Sequence, residues 1–256
     1  MEQEQKQQVQ WEKYWHETRT IARSSLADAT SIWDSDPEQG ADVDVTRFAK
    51  YADPSLPVHD VGCGNGTQTA RLTRYFKRVI GTDVSESAVA LASQTASADN
   101  LSYEVLDALS LSQAEAFHRR HGDVNLYVRT VVHPFNAQDR HMLGRVLQVL
   151  MGERGTMYMM ELGDDSPAYF ESWIQQHGLP HKLARVISTG LRPGPVGRGD
   201  VDTMFPPADY EVVSDGVVLV PGARMTSDKL DAEGRPEGAT WEPPMYYAVV
   251  RHRTKH

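Results

Sequence analysis

Residues 58–66 read Val-His-Asp-Val-Gly-Cys-Gly-Asn-Gly, and a second apolar run, Arg-Val-Ile-Gly-Thr-Asp, closes at Asp83. An apolar stretch that runs into closely spaced glycines and then a helical pattern restricts the chain to a strand, a tight turn and a helix. Such a unit lets backbone approach a nucleotide-like ligand. The glycines stand at 62, 64 and 66, and Thr67 occupies the place where the dinucleotide fingerprint has its third glycine. Asp60, at the mouth of the strand, would repel a pyrophosphate on the following helix and favour a ligand whose near end is positively charged. A nicotinamide dinucleotide is disfavoured on both counts.

The same alternation continues. Strand patterns at 57–61, 78–82, 101–106, 124–129 and 155–161 are separated by helical patterns at 67–76, 86–98, 111–121, 137–151 and 165–177. Strands alternating with helices imply right-handed crossovers and a parallel sheet. Ligands in such sheets bind beyond the carboxyl ends of the strands, where Asp60, Asp83, Asp107 and the glycine turn fall. From the residues alone, Asp83 serves equally as turn chemistry before a helix capped by Ser85. Asp107 serves equally as a loop cap, and Cys63 as a small packing residue. Upstream, Trp11, Tyr14, Trp15, Leu26, Ile32 and Trp33 recur at roughly helical spacing, which predicts two helices within 8–34. The Pro, Gly and Asp-rich stretch 34–44 reads as a hinge and 45–51 as a short helix. Downstream, 190–199 carries too many breakers for a regular element. A strand at 211–220, a long polar loop at 221–244 and a last strand at 245–251 follow.

Residues 57 to about 161 resemble the core of a class I S-adenosylmethionine-dependent methyltransferase of the small-molecule type. The resemblance implies an α/β fold: a Rossmann-like, seven-stranded, mostly parallel sheet with an antiparallel final strand, helices on both faces and an N-terminal helical lid. It divides the chain into a lid and substrate-binding region, 1–50, and a cofactor-binding domain, 51–256, with 178–209 as an irregular cap. S-adenosylmethionine is then the cofactor and S-adenosylhomocysteine the product. By that resemblance Asp60, Gly62, Cys63, Gly64 and Asn65 line the methionine end. Asp83, followed by Val84, accepts both ribose hydroxyls, and Asp107, followed by Ala108, lies beside the adenine amino group. Two vicinal donors suit one bidentate carboxylate.

A sulfonium already activates its methyl group, so the protein must hold an acceptor in line and manage one proton. His133, after the fourth strand, is the candidate base because imidazole titrates near neutral pH; packing beside Pro134 is the alternative. Arg129 is a candidate clamp for an anionic substrate group, a partner for a cofactor-side carboxylate, or a structural ion pair. Glu161 ends the fifth strand and either orients an acceptor amine or hydroxyl or caps a helix. Trp11, Trp15 and Trp33 are the candidate acceptor-facing residues of the lid, with helix-face packing as the competing account.

The 256 residues, 40% hydrophobic and 24% charged, fit one α/β domain with an appendage. A net charge of -9 argues against a nucleic-acid substrate. One cysteine excludes an intramolecular disulfide and a cysteine-rich zinc site, and no metal is expected. The polar N-terminus and the lack of an apolar run of ~20 residues point to a soluble cytoplasmic protein with no membrane partner. The expected partner is a small-molecule acceptor; a homodimer stays open. Two other functions remain compatible: a non-methylating enzyme that uses the bound cofactor electrostatically, as a cyclase or eliminase, and a non-catalytic cofactor-binding protein.

Overall fold

A computed structural model describes residues 2–22, 32, 34–222, 225–230, 236–239 and 241–253. Two helices, α1 (Glu2–Ala22) and α2 (Ala41–Phe48), precede an alternating run of strands and helices. That run comprises β1 (Val58–Val61), α3 (Thr67–Leu72), β2 (Val79–Asp83), α4 (Glu86–Thr95), β3 (Leu101–Val105), α5 (Leu111–His121), β4 (Asn125–Arg129), α6 (Ala137–Met151) and β5 (Thr156–Leu162). Three further helices, α7 (Ser166–His177), α8 (His181–Ser188) and α9 (Arg198–Met204), lead to β6 (Tyr210–Leu219), β7 (Met225–Leu230), β8 (Pro236–Ala239) and β9 (Pro244–His252).

The main sheet has seven strands in the order β3-β2-β1-β4-β5-β9-β6. β1 to β5 pair in parallel, and β9 lies antiparallel between β5 and β6, so six strands share one direction and β9 opposes them. β1, β2, β4 and β5 are buried at every position, as expected of strands covered on both faces. Successive residues of β5 feed opposite cores: Tyr158 and Met160 pack with α1, α2, α7 and α8, Met157 and Met159 with α5, α6 and α9. The chain leaves β1 toward β2 on one side and returns to β4 on the other. The carboxyl ends of these neighbours therefore border the crevice where strand order reverses. Among the described residues no helix is long and apolar enough to cross a membrane.

Several boundaries differ from the sequence expectation, each for a physical reason. α1 runs without a break from Glu2, six residues ahead of the expected start near residue 8; the expected second helix falls largely on residues 23–31 and 33, which lie outside the described residues. α2 begins inside the expected hinge. Its acidic residues, Asp42 and Asp44, are first-turn residues that suit the positive end of a helix. Its first N–H, at Ala41, is satisfied from 27 residues away by Gln68 Oε1 at 2.9 Å. A Cβ at Gly40 would lie 2.5 Å from that same oxygen. The segment 178–209 is not irregular throughout. Pro180 and Gly197 stand at helix N-caps, so these breakers bound α8 and α9 instead of preventing them. The expected loop at 221–244 contains a two-stranded antiparallel pair, β7 and β8.

Candidate active site

The turn after β1 needs glycine at alternate positions. Gly62, Gly64 and Gly66 have φ of 72, 54 and 77°, left-handed values that side chains rarely adopt. Space forbids a side chain as well. A Cβ at Gly62 would come 2.6 Å from Val131, and one at Gly64 would come 2.6 Å from the Trp15 ring. The backbone thus forms the floor of a cleft enclosing about 1060 Å³, solvent at its mouth included. Cys63 also lines the cleft, but burial pushes its thiol well above the ordinary value, which leaves it unreactive.

Three strand ends contribute carboxylates. Asp60 accepts the Thr69 hydroxyl at 2.6 Å. Asp83 is fixed by two backbone N–H groups, Gly64 to Oδ2 at 3.0 Å and Ser85 to Oδ1 at 2.9 Å. Ser85 also caps α4 through Ala88 N–H, and this local role of the turn leaves Asp83 on the cleft lining. Asp107 accepts Leu109 N–H at 2.9 Å and faces the same cleft, as do Val84, Ala108 and Asn65.

Burial raises Asp60 to about 7, with the Asp83 charge adding to the effect and the Thr69 hydroxyl opposing it. Burial likewise raises Asp83 to about 6 against the N–H groups of Ser85 and Gly64. A raised carboxyl pKa means that the free protein holds protons near neutral pH, whereas a bound cation favours the ionised forms and expels them. Binding of a cationic ligand therefore releases protons and tightens as pH rises. We expect affinity for S-adenosylmethionine to climb most steeply as pH rises toward about 6, where both carboxyls lose protons on binding, to climb less steeply to about 7, where only Asp60 still does, and then to level off. The climb should reach at most about tenfold per pH unit for each group that titrates. Calorimetric titrations across that window check this, and a flat or falling profile refutes it.

Arg129 ends β4 and lines the cleft, yet its guanidinium is turned to the protein: Nε lies 3.3 Å from Asp44 Oδ2, and Nη2 donates to Ser35 Oγ at 2.9 Å. His133 and Glu161 sit behind the wall of the cleft, not on it. The His133 ring is buried with Nδ1 2.9 Å from Glu161 Oε2. Glu161 also accepts the N–H groups of Val131 at 2.6 Å, Val132 at 2.7 Å and His133 at 3.3 Å. His133, the candidate base, thus lies beside Glu161 in a loop that the carboxylate braces. That loop carries Thr130, whose φ of 59° is the sole left-handed value among the described non-glycine residues, into the cleft.

Of the expected lid residues, Trp11 and Trp15 line the cleft, and Trp33 lies outside the described residues. Tyr14 packs in the core, where the Arg185 guanidinium stacks on its ring at 5.0 Å. Sequence reasoning missed Gln8, Asp34, Gln68, Thr130 and Phe135, which also face the cleft. Asp34 is held by Asn65 Nδ2 at 3.0 Å, a partner 31 residues away that no local pattern announces.

Residues 58–152 match the family described as a methyltransferase domain. The chain is similar to the crystal structure of an S-adenosylmethionine-dependent methyltransferase from Anabaena variabilis ATCC 29413. The two are 38% identical over 96% of this chain and 95% of that one, with a TM-score of 0.82. More distant likenesses show the fold alone. One is magnesium protoporphyrin IX methyltransferase from Synechocystis PCC 6803, with bound S-adenosylhomocysteine, at 16% identity, 83% of each chain and a TM-score of 0.53. Another is the N-methyltransferase NodS from Bradyrhizobium japonicum WM9, at 11% identity, 85% of this chain and 96% of that one, with a TM-score of 0.52. No curated protein matches. The chain belongs to the S-adenosylmethionine-dependent methyltransferases, and S-adenosylmethionine is its cofactor. The cleft fits that group, since Gly62 and Gly64 bring backbone to its lining and the buried carboxylates Asp60 and Asp83 suit a cation.

Proposed function

We propose that this protein transfers the methyl group of S-adenosylmethionine to an oxygen or nitrogen of a small-molecule acceptor. The observation that carries this reading is the roof: Trp11 and Trp15 of α1 line the same cleft as the glycine turn and the strand-end aspartates. A concave cleft with aromatic walls suits a guest of metabolite size better than a duplex or a folded protein surface. The net charge of -9 weighs the same way, because phosphate binding needs a basic face.

In this reading Asp60, Gly62, Cys63, Gly64 and Asn65 receive the methionine end, Asp83 and Val84 the ribose, and Asp107 and Ala108 the adenine. The bound cofactor supplies a methyl group already activated by its sulfonium. The chain's own task is then alignment of the acceptor with that methyl group. Trp11, Trp15 and Phe135 hold the acceptor, while Thr130 shapes the wall nearest β4. His133 and Glu161 act by bracing the 130–133 loop, and the acceptor proton leaves to water. Arg129, neutralised by Asp44, organises the cofactor end. Among the described residues the cleft presents four aspartates, Asp34, Asp60, Asp83 and Asp107, against the single cation Arg129. That balance favours a neutral or cationic acceptor over an anionic one.

The test is to incubate the protein with methyl-labelled S-adenosylmethionine and a cell extract divided into small-molecule, nucleic-acid and protein fractions. Label should appear in the small-molecule fraction together with S-adenosylhomocysteine. Label confined to a macromolecular fraction would refute the acceptor class. Turnover of substrate without S-adenosylhomocysteine would favour a cyclase or eliminase.

A further inference from the structure

Helix α1 is fastened to the rest of the chain by a carboxylate. Glu12 Oε2 accepts the Ser85 hydroxyl at 2.6 Å and the Ser87 N–H at 3.3 Å, and Glu12 Oε1 accepts the Ser87 hydroxyl at 2.6 Å. Partial burial raises the Glu12 carboxyl, but the Ser85 and Ser87 donors outweigh that and hold it below its ordinary value. The charge sits at the N-terminus of α4, where the helix dipole favours an anion. One turn along α1, Trp15 lies against Gly64. The two contacts converge on one residue. Ser85 N–H and Gly64 N–H are the backbone donors that fix the two oxygens of Asp83. The segments that α1 holds down are therefore the segments that orient Asp83.

The geometry points to Glu12 as a positioning residue for the cofactor: it latches α1 over the cleft and, through Ser85 and Gly64, couples closure of that helix to the seating of Asp83. This rests on the reading of Asp83 as the ribose acceptor. Cofactor and product then pass the roof with the latch open, so the strength of the latch sets how long S-adenosylhomocysteine stays bound. Ser87 is not part of the cleft lining, and its hydroxyl and N–H bonds named above both go to Glu12, so it reports on the latch.

The experiment measures S-adenosylhomocysteine dissociation by stopped-flow tryptophan fluorescence in wild type, E12A, E12Q and S87A. In parallel, it follows tryptic cleavage after Lys13 in the ligand-free proteins by mass spectrometry. E12A should release product roughly tenfold faster, as loss of hydrogen bonds to a charged group implies, with S87A and E12Q intermediate. Cleavage after Lys13 should accelerate in the same order. Release rates within twofold of wild type in both E12A and S87A, with circular dichroism reporting a native fold, overturn the latch. So does unchanged protection of Lys13. If E12A fails to fold, S87A decides alone. D83A separates the two ideas: unchanged affinity for S-adenosylhomocysteine removes the ribose reading, whereas the ligand-free cleavage comparison tests the latch without it.

Discussion

Glu161→Ala is expected to lower the unfolding free energy by about 4 kcal/mol and to abolish methyl transfer. Glu161 is fully buried on β5, and its two oxygens satisfy three successive backbone N–H groups, those of Val131, Val132 and His133, as well as the His133 ring. Removing the carboxylate strands those donors, each at about 1–3 kcal/mol, and relaxation of the loop keeps the sum below simple addition. The same bonds keep Thr130 in a left-handed conformation that costs a β-branched residue about 1–3 kcal/mol. Without them Thr130 keeps only its own bonds, its N–H to Met160 O at 2.8 Å and its hydroxyl to Arg129 O at 2.6 Å, against that cost, and the wall of the cleft moves. Glu161→Gln should recover little, because half of its amide is a donor facing donors. Denaturant unfolding of both variants checks this, and a loss below about 1 kcal/mol in Glu161→Ala would show that the loop is held by something else.

Asp44→Ala comes next, with an expected loss of about 3–5 kcal/mol, the scale for breaking one side of a buried ion pair. Asp44 is 1% exposed. It accepts the hydroxyls of Tyr127 at 2.7 Å and Tyr158 at 2.6 Å, and pairs with Arg129 at 3.3 Å and Arg47 at 3.2 Å. Truncation removes one carboxylate from beside the buried Arg129 guanidinium and takes that acceptor from two buried phenols. Arg129 lines the cleft, so the damage should reach the cofactor, and affinity for S-adenosylhomocysteine should fall with stability. Tyr127→Phe and Tyr158→Phe remove one hydrogen bond each and should cost about 1 kcal/mol apiece. If Asp44→Ala costs no more than those two together, the ion pair adds nothing and the cluster is held by its phenols.

The parts of the site that could be read from sequence are those whose cause is local. The left-handed turn at 62–66 announces itself because only glycine adopts that backbone cheaply. Asp83 and Asp107 could be placed because each follows an apolar strand in a parallel sheet, whose carboxyl ends meet at one edge. The Ser85 cap could be read because an N-cap bonds within its own turn. His133, beyond β4, and Glu161, near the end of β5, were also legible as members of one region. Their pairing was not, because it depends on side-chain direction across neighbouring strands.

What sequence alone determined is therefore the alternating architecture, the glycine floor and the family to which they belong, since each follows from backbone preference or strand period within a few residues. Tertiary structure alone decided which charges are buried together. Asp44 reads as a hinge residue until the fold sets it beside Tyr158, 114 positions away. Asp34 becomes part of the cleft in a fold that brings Asn65, 31 positions away, within reach of it. Glu12 becomes a fastening only because α1 crosses the N-terminus of α4. A charge has no periodicity that reveals its partner; burial removes the water that would otherwise serve it, and the fold supplies a partner from wherever the chain happens to pass.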